Sequence, residues 1–236
     1  LPTTTFALIP GAGGSAWFWH RVTPLLAATG ATAIPIELPA GDDAADLGRY
    51  ADIVVESVAE VSAATGPLVL VGQSLGAFTA PIVATRVPTA LIVLVNPMVP
   101  TAGEPGEPGE QWWENTGQRA ARIAYFARIG LSRQDFDPVE DFFHDVPTAV
   151  RNEALRQPEP QQSATPFEGP WPLNDWPDVP TRVIAGNDDR LFPLEFQRRV
   201  VRERLGLEVD VMPGGHLLAL SRPQELVDLL VDIAQF

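Results

Sequence analysis

The chain has 236 residues, 45% hydrophobic and 19% charged, with mean hydropathy near zero, a composition that suits one large α/β domain or a core with an inserted subdomain. Its formal charge of −14 repels phosphates and anionic lipid, so nucleic acid and membrane surfaces are not expected partners. With no cysteine and with arginine at all 16 cationic positions, disulfides, thiolate nucleophiles, cysteine zinc sites, Walker lysines, Schiff-base lysines and Ser–Lys dyads are excluded, and His20, His144 and His216 are left as imidazole bases.

The strand Thr3 to Ile9 runs into Pro10-Gly11-Ala12-Gly13-Gly14-Ser15, followed by a helix-like aromatic segment from Ala16 to Ala28. Ala31 to Ile36 reads as a second strand, and Leu47 to Ala64 as an amphipathic helix on the spacing of Ile53, Val54, Val58 and Val61. Leu68 to Val71 is an apolar strand, Ala77 to Val87 a helix, and Leu91 to Val95 another apolar strand. Short apolar strands alternating with helices predict a mostly parallel sheet with helices on both faces.

The rhythm breaks between Pro97 and Asp178, which hold 12 of the 24 prolines and four of the six tryptophans. Residues 103–109 read as a loop, Trp112 to Ile129 and Val146 to Arg156 as helical pieces, and Pro158 to Pro180 as irregular chain. The expectation is a largely helical cap over residues 97–178, inserted in a core made of residues 1–96 and 179–236. Core rhythm returns with the strand Thr181 to Ala185, a helix from Pro193 to Leu205, the strand Glu208 to Met212 and a helix from Pro223 to Ala234.

Gly72-Gln73-Ser74-Leu75-Gly76 fits G-x-S-x-G between a strand and a helix. The turn is so tight that its flanking residues must be small, and it raises the serine hydroxyl above the sheet edge beside free N–H groups. His216 lies in Pro213-Gly214-Gly215-His216 after the last strand, and Asp188 and Asp189 follow the strand ending at Gly186. All of these positions fall at the carboxyl edge of a parallel sheet, where ligands bind in open α/β folds. The order serine, aspartate, histidine is that of an α/β-hydrolase triad, and spacing alone leaves Asp188 and Asp189 as alternatives.

Together, Pro10-Gly11-Ala12 with Trp17-Phe18-Trp19, the elbow at residues 72–76, Gly186-x-x-Asp189-x-x-x-Pro193 and Gly215-His216 resemble the α/β-hydrolases. Within them, the chain is similar to the small capped branch of plant methylesterases and hydroxynitrile lyases. The resemblance implies catalytic Ser74, Asp189 and His216, with Ala12 and Leu75 N–H groups as oxyanion donors. With this triad the chain is expected to be a cofactor-independent, metal-free esterase working through an acyl-enzyme, as a monomer or homodimer, and a cap dense in tryptophan and phenylalanine over an edge with few cationic groups predicts a neutral, mainly hydrophobic small-molecule ester. The family usually has His-Gly where this chain has Pro10-Gly11. Hydroxynitrile lyases need a lysine near the nitrile, and this chain has none. Lactone or thioester hydrolysis, or a ligand-receptor role on the same fold, are the alternatives.

A competing pattern is G-x-G-x-x-A at Gly11 to Ala16 with Glu37 at the end of the second strand, the dinucleotide fingerprint with its ribose acid. Three bulky aromatics in the following segment oppose it, because close helix packing there wants small residues. His20 reads as a packing residue. His144, beside Asp141 and Asp145, reads as exposed cap surface more readily than as a metal ligand. The cap tryptophans and phenylalanines read mostly as cap core. The N-terminus has neither the basic region nor the apolar core of a signal peptide, and no apolar run reaches ~20 residues, so a cytoplasmic protein is expected.

Overall fold

The computed structural model describes residues 3–62, 66–101 and 109–235. Among these residues six strands form one sheet in the order β2-β1-β3-β4-β5-β6: β1 Thr5–Ile9, β2 Thr32–Pro35, β3 Leu68–Gln73, β4 Leu91–Val95, β5 Thr181–Gly186 and β6 Asp210–Met212. Every pairing is parallel. Topology therefore brings the ends of β1, β3, β4, β5 and β6 to one edge.

Strand residues alternate between two buried clusters, which is why these strands are apolar throughout. Phe6, Leu8, Val69, Val71, Val93 and Val95 face Trp19, Leu26, Leu226 and Leu230 on one side. Ala7, Ile9, Leu68, Leu70, Ile92 and Leu94 face Tyr50, Val54, Val58, Phe78, Val200 and Val201 on the other. The first layer is supplied by α1 Thr23–Ala28 and the C-terminal helix Pro223–Ile233, and the second by α2 Leu47–Ser62, α3 Gly76–Ala84 and the helix Leu194–Leu205. Full burial of one such side chain contributes about 1.5–3 kcal/mol, so the two layers hold the sheet from both faces.

Among its described residues, the long excursion between β4 and β5 carries four α-helices: α4 Gly109–Asn115, α5 Gln118–Arg128, α6 Pro138–Phe142 and α7 Thr148–Ala154. The chain ends with α8 Leu194–Leu205, α9 Leu218–Ser221 and α10 Pro223–Ile233. The loop expected at residues 103–109 lies, apart from Gly109, outside the described residues.

Where the elements differ from the sequence reading, a local cause is visible. The aromatic segment from Ala16 splits into a 3-10 turn, Ala16–Trp19, and α1, because Pro24 has no N–H to continue a helix through His20. The helix expected from Trp112 to Ile129 breaks at Gly117, which has φ 65°. Helix α6 went unread although its start is well capped: the Asp137 carboxylate accepts from the N–H groups of Val139 and Glu140 at 2.9 Å. Among the described residues, no helix is long and apolar enough to cross a membrane.

Candidate active site

Ser74 follows β3 directly and adopts φ 50°, one of only two positive φ values at non-glycine positions among the described residues. Its N–H donates to the Val95 carbonyl at 3.0 Å, and its own carbonyl accepts from Ala77 and Met98 at 3.1 Å. These bonds hold a backbone conformation that costs a serine on the order of 1 kcal/mol or more. The crowding expected of the elbow is real. A Cβ on Gly76 would lie 2.7 Å from the Pro10 carbonyl oxygen, and one on Gly72 would lie 2.7 Å from that of Gly76.

The second positive φ belongs to Asn96, which follows β4 with φ 43° and is fully buried. Its Nδ2 donates to the carbonyls of Gly215 and His216, each at 3.0 Å, while its Oδ1 accepts from Gly186 N at 2.8 Å and Gln197 Nε2 at 3.2 Å. One amide thus ties the end of β5 to the loop after β6. Gly186 has no room for a side chain there, since a Cβ would lie 2.5 Å from the Gly214 oxygen.

That tie brings Asp189 to His216. Nδ1 of His216 donates to Asp189 Oδ2 at 2.8 Å, and both side chains are shielded from solvent. Asp189 Oδ1 accepts from the N–H groups of Leu191 and Phe192 at 2.8 and 2.9 Å. Three donors therefore meet one buried carboxylate and fix its orientation. Asp188 is exposed and reaches the same region only through its backbone N–H, bonded to the Gly214 carbonyl at 2.9 Å. The imidazole lies between two rings, Phe142 at 5.2 Å and Phe192 at 5.1 Å between centroids.

With the Nδ1 proton engaged by Asp189, Nε2 carries the lone pair of the neutral ring. Nε2 of Gln73 stands 3.3 Å from it. Among the described residues Ser74 Oγ makes no hydrogen bond, to His216 or to any other group. Ala12 and Leu75 flank the serine in the two loops, and neither N–H donates to a protein acceptor among the described residues. Ser74 itself is 7% exposed.

The excursion between β4 and β5 closes on this edge at several points. Phe142 packs on His216, and Asp145 Oδ2 accepts from Gly215 N at 2.7 Å. Gln162 Oε1 accepts from Gly13 N at 3.0 Å, and a Cβ on Gly13 would lie 2.7 Å from the Pro160 ring. The reading of His144 as exposed surface is corrected. Its side chain is 13% exposed and lies against Gly215, because the turn after α6 carries Phe142 and Asp145 into the same loop. Its Nε2 is buried without a partner, 4.0 Å from Asp145 Oδ1.

The dinucleotide pattern is otherwise employed. The Glu37 carboxylate accepts from Ala16 N at 2.6 Å, and Ser15 Oγ from Trp17 N at 3.2 Å, so the supposed ribose acid caps the aromatic 3-10 turn. His20 stacks on Trp17 at 4.2 Å with Nδ1 on that residue's carbonyl, which fits a packing role. Among the described residues no group of three or more His, Asp or Glu side chains could hold a metal ion.

Gln73, Asn96, Asp145 and Gln162 were not identified from the sequence. Asn96 left a trace, as a polar residue closing an all-apolar strand at the functional edge. The contacts of Asp145 and Gln162 span 70 and 149 residues and leave no local pattern.

Residues 6–229 match the sequence model of the "Alpha/beta hydrolase family". The chain is 27% identical over 279 residues to "Probable esterase PIR7A" of Oryza sativa subsp. indica, covering 97% of this chain and 96% of that protein. It is 23% identical to "Methylesterase 7" of Arabidopsis thaliana, covering 97% and 95%. In fold it is similar to polyneuridine aldehyde esterase, with TM-score 0.78 at 20% identity over 99% of this chain and 100% of the other.

Proposed function

Because the chain belongs to the α/β hydrolase family, we propose that it is a serine hydrolase that cleaves carboxylic esters of neutral, mainly hydrophobic small molecules. The observation that carries this reading is the buried His216–Asp189 pair, joined at 2.8 Å, on the sheet edge where Ser74 is held at φ 50°. The esterase names of its relatives support the same reaction class.

In this reading the neutral imidazole of His216 takes the Ser74 proton at Nε2 as Oγ attacks the ester carbonyl. Asp189 keeps Nδ1 protonated and stabilises the imidazolium. The N–H groups of Ala12 and Leu75 receive the oxyanion, each such donor contributing about 3–4 kcal/mol in comparable sites. His216 then gives its proton to the leaving alcohol, and the Ser74 Oγ–acyl bond remains. Water, deprotonated at the same Nε2, breaks that bond and restores the serine. No metal or redox group is needed for any of these steps.

Residues 97–178 act as the cap in this account, and their contacts at Phe142, Asp145 and Gln162 support it. Phe142 and Phe192 beside the imidazole favour apolar substrate groups, through burial at roughly 25 cal/mol per Å². Among the described residues of the insert, Arg122 is the buried cation. Its guanidinium lies 5.5 Å from the Phe126 and Phe136 ring centroids, and desolvation holds its pKa below the usual arginine value. The test is a kcat/KM series over p-nitrophenyl esters, lactones and thioesters, with neutral and carboxylate-bearing pairs of equal size. Neutral esters with small or medium acyl groups should be preferred. A clear preference for the carboxylate partner, lost in Arg122→Met, would overturn the neutral-substrate reading, and binding without alcohol release would overturn catalysis.

A further inference from the structure

Gln73 is 4% exposed, and its amide is turned to the atom of His216 on which the reaction depends. The Asp189 contact decides which way that amide must face. With Nδ1–H donated to Asp189, Nε2 of the neutral ring can only accept, so the group 3.3 Å away must be the NH₂ of Gln73 and not its oxygen. The other end of the amide is confined as well: a Cβ on Gly11 would lie 2.4 Å from Gln73 Oε1. Gln73 thus lies between the Gly11-Ala12 loop and the base, one residue before the nucleophile.

We propose that Gln73 is a positioning residue that occupies His216 Nε2 in the resting protein and must release it before Ser74 can transfer its proton. The inference rests on the serine-hydrolase reading above. Only one donor can use the Nε2 lone pair at full strength, so Gln73 N–H and Ser74 Oγ–H compete for it. Once Nε2 has taken the serine proton, it becomes a donor facing the Gln73 NH₂. The two groups then repel, and the amide has to withdraw or rotate. Gln73 therefore opposes acylation of Ser74, and it opposes deacylation in the same way, because water must give its proton to the same Nε2. The arrangement keeps the serine hydroxyl unactivated until a substrate carbonyl enters between the Gly11-Ala12 loop and the elbow.

Among the described residues the groups that face His216 are few. Asp189 holds Nδ1, Asn96 holds the backbone carbonyl, Phe142 and Phe192 cover the ring, and Asp145 with His144 reaches the preceding glycines, Gly214 and Gly215. Removing the Gln73 donor should leave all of these in place. Gln73→Met conserves length and bulk without a donor, and Gln73→Asn keeps an amide one methylene too short to reach Nε2.

The experiment is the rate of covalent labelling of Ser74 by a neutral fluorophosphonate, in which the Oγ–P bond forms, fluoride leaves and His216 takes the proton. It is followed by intact mass and peptide mapping, with the thermal midpoint measured for each variant. Both variants should label about fivefold faster than wild type, the ratio that one hydrogen bond of ~1 kcal/mol maintains. For ester substrates kcat/KM should rise by a similar factor, and so should a kcat limited by deacylation. Folded variants that label at the wild-type rate or more slowly overturn the competition, whichever of the two folds. Failure of Ser74 to label in wild type and variants alike would instead overturn the serine-hydrolase reading on which the inference rests.

Discussion

Replacing Asp189 by asparagine tests whether this carboxylate sets the form of the base. Oδ1 accepts two backbone N–H groups, at 2.8 and 2.9 Å, and Oδ2 faces His216 Nδ1 at 2.8 Å. An asparagine could place its NH₂ at either position. Toward Leu191 and Phe192 it would confront two donors and strand both N–H groups, at about 1–3 kcal/mol each. Toward His216 it strands no backbone group, provided the imidazole moves its proton to Nε2 and the Gln73 amide turns its oxygen toward it. Asparagine should therefore present NH₂ to Nδ1 and leave Nε2 unable to accept from Ser74. The expected loss is about 10⁴-fold in kcat, equivalent to about 5.5 kcal/mol of barrier. The assay is kcat on p-nitrophenyl acetate, with thermal unfolding as a check on folding. Asp188→Asn is the control: its carboxylate is exposed and its structural contact is made by the backbone, so activity should stay within about threefold. An Asp189→Asn variant above a tenth of wild-type kcat, or an equal loss in Asp188→Asn, would refute the reasoning.

Asn96→Ala should destabilise the fold by on the order of 3 kcal/mol, because it strands Gly186 N–H and the Gly215 and His216 carbonyls together; denaturant unfolding checks it, and a change below 1 kcal/mol would contradict it. Tyr50 and Tyr125, the only tyrosines in the chain, have pKa values raised by burial from an ordinary 10.0. The unfolded chain then ionises first, so their contribution to stability is complete below pH 10 and is lost as pH rises through the folded values. Absorbance at 295 nm should show phenolate forming with a midpoint above pH 10, and Tyr50→Phe should flatten the fall of the unfolding midpoint at high pH.

Much of this site was legible because its chemistry has a local signature. Alternating burial of fully apolar strands gives a parallel sheet covered on both faces, and Gly72 and Gly76 announce a serine in a turn too tight for side chains. The loops with His216 and Asp189 follow strands of the same sheet, which places them at the same edge. What stayed hidden depends on contacts between distant segments. Choosing Asp189 over Asp188 required the resemblance to a family, and the physical reason, which of two neighbouring carboxylates turns inward, exists only in three dimensions. Asn96 and Gln73 lie inside or beside strands read for their hydrophobicity, and their amides matter through partners more than 85 residues away. His144 and Asp145 look like surface charge until the turn after Phe142 carries them against Gly215. Helix ends were misplaced where single residues, Pro24 and Gly117, decide whether one helix continues or two form.

The central claim is that Ser74 is the nucleophile, and hydrolysis of a neutral p-nitrophenyl ester by Ser74→Ala tests it most directly. Alanine keeps the Cβ and the φ 50° backbone and removes only the hydroxyl, so the unfolding midpoint should match wild type. Activity should fall on the order of 10⁴-fold or more, to the residue left by binding and the oxyanion donors alone. A folded Ser74→Ala protein that still releases p-nitrophenol near the wild-type rate would contradict the account.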